Sequence, residues 1–336
     1  MLSADTKRRL EVGLASTAAA AELLSSTGIT TFGKIFYVNA DSDANSVAKG
    51  NDTVHDGLSM DKPFATLSKA YDAVTSNNHD VIIMSGSTAH TITSPLTFSK
   101  NRFHIISADP AWSLRQMGQR TRITSAMSTN ANTAPITITG VGVTLHGLKI
   151  TSSDTAATSV FGLADGGEFT ILDRCWIEKD TDLDQTGAAE LLCNGDTSTY
   201  INCTFGNCIY TTSVARQNVL FTRETITGKV ARDVMFYGCF FQNRTSATTF
   251  VNLRATTNDI ERVAYFKECV FWSAKTSSAT QAVVAGIASA LTDAEILLHG
   301  CAVQNITDVC ATALGVYTTS PSPSTTGTES VLVALS

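Results

Sequence analysis

Five of the eight cysteines close one short apolar stretch that recurs along the chain: FTILDRCWI at 169–177, TYINCTF at 199–205, DVMFYGCFF at 233–241, VAYFKECVF at 263–271 and AEILLHGCAV at 294–303. Two or three apolar residues, two turn-like residues, a cysteine, one variable residue and an apolar residue account for Cys175, Cys203, Cys239, Cys269 and Cys301, and GVTLHGLKIT at 142–151 fits with Leu148 in the cysteine's place. Successive copies lie 27 to 36 residues apart. A near-constant period of this size means stacked supersecondary units. Between the copies stand further short strands, VFGLA at 160–164, AELLCN at 189–194, FVNLR at 250–254 and AVVAGIA at 282–288. About three strands per repeat, separated by polar turns, predict an all-β chain folded as a parallel β-helix. In such a stack only the two ends present unpaired strand edges, so both need a cover.

The cysteines share one register, which puts them on one face of one strand position, where a small side chain stacks on its copies. We read them as a reduced interior ladder and not as a disulfide framework. Zinc needs close pairs; Cys203 and Cys208 have four residues between them and no histidine near, so no zinc site is expected. Cys193, Cys208 and Cys310 fall outside the ladder and read as buried packing.

With 336 residues the chain is long for one compact core but ordinary for a stack whose layers bury one another. Charged residues make up 16% and there are 48 threonines, the composition of a β protein whose surface is kept polar by hydroxyls. A formal charge of −6 leaves no basic stripe for phosphates, so nucleic acid is not an expected partner. No run of 18 apolar residues exists, and the first 28 residues lack the continuous apolar core of a signal peptide. We expect synthesis in a cytosol and no membrane association.

Residues 35–92 run strand, polar loop, the segment KPFATLSKAYDAV and a second strand before glycine. The order YVNA, acidic and glycine loop, DGLSMDKPFATLSKAYDAV, DVIIMSGSTAHTI resembles the opening of pectate-lyase-like right-handed β-helix proteins, a superfamily of carbohydrate enzymes and many phage tailspikes and fibres. The resemblance implies a right-handed turn of the helix and a short capping helix whose Phe64, Leu67 and Tyr71 plug the first coil. It also implies trimers, by analogy with phage members.

The segment TKRRLEVGLASTAAAAELLSST at 6–27 is dense in helix formers and places Leu10, Leu14, Ala18, Ala21 and Leu24 on one stripe beside Lys7, Arg8 and Arg9. It resembles the leader of many tailed-phage virion proteins, a basic-start, alanine-rich helix ahead of the body. We expect a helical anchor over 1–30, a β-helix over 31–310 with its cap region at 31–92, and a tail or capping strand over 311–336. The stripe and its basic residues are the expected docking surface for another virion protein; the alternative is a helix that packs on its own β-helix.

Chemistry is harder to place. The paired aspartates, histidine and R-x-K of polygalacturonases, and the calcium acids and arginine of pectate lyases, are not legible. LHG occurs at 145–147 and 298–300, but both copies precede a ladder position, so His146 and His299 read as turn residues. Glu178, Asp180, Asp182 and Asp184 leave a strand for a loop, and 41–52 has oxygen residues at 1, 3, 5 and 12 of an EF-hand-like count. The first lacks the sixth-position glycine, and the second has Ser46 there and ends in Asp52 where Glu is usual, so both read as solvated loops. Trp112, Trp176 and Trp272 could stack on sugars, but periodicity leaves their orientation open. No cofactor is expected. The reading is a structural virion protein of a tailed phage, a capsid-decorating or head-fibre-like homotrimer without catalysis; the alternatives are a tailspike-type glycan depolymerase or lyase and a glycan-binding adhesin.

Overall fold

The computed structural model describes residues 33–40, 49–85, 88–108, 121–125, 127, 134–153, 160–179, 188–208, 217–221, 229–244, 253–255, 260–274, 282–285, 294–306, 308–310, 316–318 and 331–332. The leader, the acidic loops from 41 to 48 and 180 to 187, and Trp112 lie outside them. The described chain is mostly strand and divides into two compact units. One holds residues up to His90 with Lys100–Arg122 and Leu145–Leu148; the other holds Thr91–Ser99, Ile123–Thr144 and everything from Lys149 on.

In the first unit the strands Ile35–Asn39, Asp80–Ser85 and Phe103–Ser107 pair in parallel, with Ile35, Val81 and His104 in one register and Tyr37, Ile83 and Ile106 in another. Both faces are buried: Phe36, Ile82 and Ile105 on one, and on the other Val81, Ile83 and Ile106, with Ile35, Tyr37 and Ala108 packed on them. That is why DVIIMS and FHIIS are almost continuously apolar rather than alternating. The helix Leu67–Ala73 is shorter than KPFATLSKAYDAV suggests, because Thr66 caps it, its hydroxyl accepting from Lys69 N at 3.2 Å. Asp52 fixes that start: it accepts from Ala65 N at 2.7 Å, Thr66 N at 3.2 Å and the Thr66 hydroxyl at 2.7 Å. The other end is closed by Lys100, whose ammonium donates to Tyr71 O, Asp72 O and Val74 O at 2.7, 2.9 and 2.8 Å and sits 4.8 Å from the centroid of the Tyr71 ring. Phe64 and Leu67 are buried, Phe64 stacking on Phe36 at 6.2 Å; Tyr71 is half-buried against Phe103 at 5.4 Å.

In the second unit the chain visits three sheets in turn. One round runs Phe161–Asp165, Ile171–Asp173, Trp176–Lys179, and the next runs Ala189–Cys193, Thr199–Ile201, Thr204–Phe205. Each strand pairs in parallel and in register with its counterpart one round later, as in Leu163 with Leu191, Leu172 with Tyr200 and Ile177 with Phe205. We number the sheets in the order of the strands named for the first round, so that Phe161–Asp165 belongs to sheet one, Ile171–Asp173 to sheet two and Trp176–Lys179 to sheet three. Sheet two continues through Ala231–Tyr237, Ile260–Lys267, Ala294–His299 and Val316–Thr318; sheet three through Phe240–Asn243, Val270–Ser273 and Ala302–Gln304, where Val331–Leu332 joins antiparallel. The strand Gln217–Phe221, which supplies sheet one for the third round, was not among the sequence-expected strands.

The interior is built of vertical aromatic stacks. Tyr200, Phe236 and Phe266 of sheet two stack at 4.4 and 4.5 Å, and Phe205, Phe241 and Phe271 of sheet three at 5.2 and 4.7 Å. The columns meet edge-on, Phe205 with Phe236 at 5.9 Å and Phe241 with Phe266 at 5.8 Å. Identical registers make like rings overlap, and each pair adds about 1 kcal/mol beyond its burial. Between sheets two and three the chain turns through one left-handed residue, Arg174, Asn202, Gly238, Glu268 or Gly300, with φ between 50 and 62°. The next residue is the ladder cysteine. Cys175, Cys203, Cys239, Cys269 and Cys301 are buried free thiols, and from the second onward each donates to a carbonyl of the preceding round: Leu172 O, Tyr200 O, Phe236 O and Phe266 O, at 3.3 to 3.5 Å. Leu148, after Gly147 at φ 69°, is likewise buried.

Candidate functional site

The densest chemistry lies inside the second unit. Asp165 ends its strand of sheet one, level with Cys193, and its side chain is fully buried. Its Oδ2 accepts from the Tyr200 hydroxyl at 2.6 Å; its Oδ1 accepts from Gly167 N at 2.9 Å and the Thr170 hydroxyl at 3.0 Å. The Cys193 thiol lies 3.3 Å from the same Tyr200 oxygen. Burial holds the Asp165 carboxyl above the ordinary carboxylate range, against the lowering effect of its donors, and pushes the Tyr200 phenol and the Cys193 thiol up. No solvent reaches the group, so it ties sheet one to sheet two. Glycine follows both sheet-one residues for steric reasons: a Cβ on Gly167 would come within 2.4 Å of the Thr170 hydroxyl, and one on Gly195 within 2.1 Å of the Ser198 hydroxyl.

The second cluster is on sheet three. Alternation with the buried column Ile150, Ile177, Phe205, Phe241 and Phe271 turns Lys149, Trp176, Glu178, Phe240, Gln242 and Trp272 to the other face, which settles the two tryptophans left open by periodicity. The Lys149 ammonium is 2.7 Å from Glu178 Oε1 and 3.7 Å from the centroid of the Trp176 ring, and Thr151 donates to the same Oε1 at 3.0 Å. Trp176 Nε1 and Gln242 Nε2 both donate to Gly206 O, at 2.8 and 3.0 Å. Glu190 accepts from Lys179 N. Phe240 and Trp272 are half-buried, with rings 6.0 Å apart.

Several expectations change with this geometry. Glu178 is a strand residue bound to Lys149, not part of a loop cluster; Asp180, Asp182 and Asp184 lie outside the described residues. Asp52, the twelfth position of the EF-hand-like count, is engaged by three donors at the start of the helix and is no free calcium ligand. His146 and His299 end the strands Thr144–His146 and Ala294–His299, and the turn conformation belongs to Gly147 and Gly300 after them. Cys208 is half-buried, and Cys193 belongs to the Asp165 cluster. Among the described residues no group of three or more His, Cys, Asp or Glu side chains is placed to hold a metal ion. The docking residues Lys7, Arg8, Arg9, Leu10, Leu14, Ala18, Ala21 and Leu24 lie outside the described residues. Sequence reasoning missed the Asp165 cluster, whose signal is a polar residue followed by glycine in ADGG at 164–167 and CNGD at 193–196, with a tyrosine where other repeats carry Leu or Phe.

No protein-family model matches the sequence, and neither does any curated protein. Solved structures do resemble the fold. The pectin methylesterase from Aspergillus niger superposes with a TM-score of 0.51 at 12% identity over 89% of this chain and 88% of its own. The pectate lyase Pel9A gives 0.47 at 12% identity over 87% and 80%, and ORF18 of Geobacillus virus E2 gives 0.34 at 12% identity over 84% and 59%. The fold is therefore like that of parallel β-helix proteins such as the Aspergillus niger pectin methylesterase. At this identity the likeness speaks for fold alone.

Proposed function

We propose that the chain is a right-handed parallel β-helix serving as a structural protein of a tailed-phage particle, attached through its residues 1–27 and carrying out no catalysis. The observation that carries this reading is how three carboxylates of sheets one and three are used. Asp165, Glu178 and Glu190 are all buried and bonded to Tyr200, Lys149 and the backbone of Lys179. Glycoside cleavage needs two carboxyl groups reaching a sugar from opposite sides; these three join strands to one another. With the stacked aromatics and thiols they make a stiff body, the property a particle-borne protein needs. The basic, alanine-rich leader supports attachment to an acidic partner surface.

The test is the composition of purified particles. The full chain is expected on them in a fixed ratio to the shell protein, and a variant lacking residues 1–32 is expected to stay folded yet be absent. A truncated chain that still attaches, or a full chain that never does, overturns the docking. A second reading is favoured by the outward Phe240 and Trp272: an aromatic pair beside Gln242 suits stacking on a sugar, which is the glycan-binding alternative. Release of saccharide from host capsule or lipopolysaccharide would replace the structural reading with the depolymerase one.

A further inference from the structure

Sheet two of the second unit has one face in the aromatic interior and one turned outward. Beside the turns that lead to sheet three, its outward residues form two columns. The first is Ile171, Thr199, Met235, Tyr265 and Leu297; the second is Asp173, Ile201, Tyr237, Lys267 and His299. The left-handed turn residues Arg174, Asn202, Gly238, Glu268 and Gly300 border the second column. Ile171 is 39% exposed and neighbouring Phe169 56%, both large apolar side chains open to water, while Met235, Ile201, Tyr237, Tyr265 and Leu297 are partly exposed.

The charges on this face have an order. Over four consecutive rounds only the first and the fourth carry any along the second column and its border, and they carry opposite sequences: acid then base at Asp173 and Arg174, base then acid at Lys267 and Glu268. The two rounds between present Ile201 with Asn202 and Tyr237 with Gly238. Within each pair the charges stand 3.8 Å apart, on side chains at least partly exposed to water. A rotation of 180° about an axis lying in the face, along the strands and midway between the two neutral rounds, exchanges the first round with the fourth and keeps each column over itself. Asp173 then meets Lys267 of a second copy, Arg174 meets Glu268, Ile171 meets Tyr265, and Ile201 meets Tyr237. A self-complementary surface is what a two-fold interface requires.

We propose that this face is a homotypic interface, pairing two copies of the chain with their stacks running in opposite directions. Rounds repeat about every 4.8 Å and the face is about five residues wide, so the four rounds that meet offer about 320 Å² of sheet from each copy. That is about 640 Å² in all, at the weak, transient end of association, and the pairing is expected to depend on concentration in the micromolar range.

The experiment is sedimentation velocity of the full chain across that range, with circular dichroism as the check that each variant folds. The wild type should pass from monomer to dimer. Asp173→Lys with Arg174→Glu sets like charges against Lys267 and Glu268 and should weaken the dimer at least tenfold; adding Lys267→Glu and Glu268→Lys to the same chain should restore it. Ile171→Asp should weaken it without rescue by the charge swap. A monomer at every concentration, an association indifferent to these changes, a closed trimer that the fourfold swap fails to restore, or a monomer that binds host polysaccharide on this face would each overturn the proposal.

Discussion

Replacing Tyr200 by Phe isolates one atom whose loss the structure allows to be weighed. The ring stays between its neighbours, stacked on Phe236 at 4.4 Å, so packing changes little. What goes is the hydroxyl that donates to Asp165 at 2.6 Å and touches Cys193 at 3.3 Å. Asp165 is fully buried and keeps only Gly167 N and the Thr170 hydroxyl. For a neutral carboxyl the lost bond costs about 1 kcal/mol, and for an ionised one about 2 to 3 kcal/mol, because a buried charge then lacks a donor. The pH dependence follows from the carboxyl's raised folded-state pKa. The folded state holds its proton where the unfolded chain has released it, so Asp165 contributes stability that is fully present below the unfolded value and lost as pH rises through the folded one. The Tyr200 hydroxyl opposes that rise, so removing it moves the folded pKa further up and the variant's deficit should grow with pH. Urea unfolding followed by tryptophan fluorescence as a function of pH should show a deficit of about 1 kcal/mol while the folded carboxyl is protonated, growing toward about 3 kcal/mol once it ionises, and a double-mutant cycle with Asp165→Asn should assign most of it to the pair. A coupling near zero, or a deficit that shrinks as pH rises, would refute the tie.

Three further outcomes follow. Thiol labelling of native protein should be slow at Cys175, Cys203, Cys239, Cys269 and Cys301, all buried, and Cys239→Asp should destabilise by several kcal/mol as an unpaired charge placed in the stack; rapid labelling of most of the five would mean that the ladder opens. His104, lowered to about 4 by burial and by His79 beside it, should make the first unit lose stability as pH falls from 6.5 toward 4, by up to about 3 kcal/mol, and His104→Gln should flatten that dependence in hydrogen exchange of the strand Phe103–Ser107. Lys100→Met should release the three carbonyls at the end of the helix Leu67–Ala73 and cost about 1 to 2 kcal/mol, read as faster exchange in that helix with the second unit unchanged.

What the sequence disclosed and what it concealed divide along one physical line. A residue that recurs every round in the same register is selected by the same corner each time, so the ladder positions, the strands before them and the period are written repeatedly and are read easily. The sheet-two strands of the Cys269 and Cys301 rounds, Ile260–Lys267 and Ala294–His299, are the clearest instance, since each is preceded by polar residues and ended by a left-handed turn. Asp165 is written once. Its round carries Asp where the next has Cys193 and the one after has Phe221, all at one register position of sheet one, and nothing in a single aspartate before two glycines tells a buried tie from a solvated turn. Glu178 misled for the same reason: three acids follow it in sequence, while the lysine that holds it stands one round earlier at Lys149, 29 residues away along the chain but 2.7 Å away in space. In a stacked fold the partner of a polar side chain lies about one period off. Pairing Glu178 with the residue some 27 to 30 positions earlier, instead of with its neighbours, would have found Lys149 and Thr151 from the sequence alone.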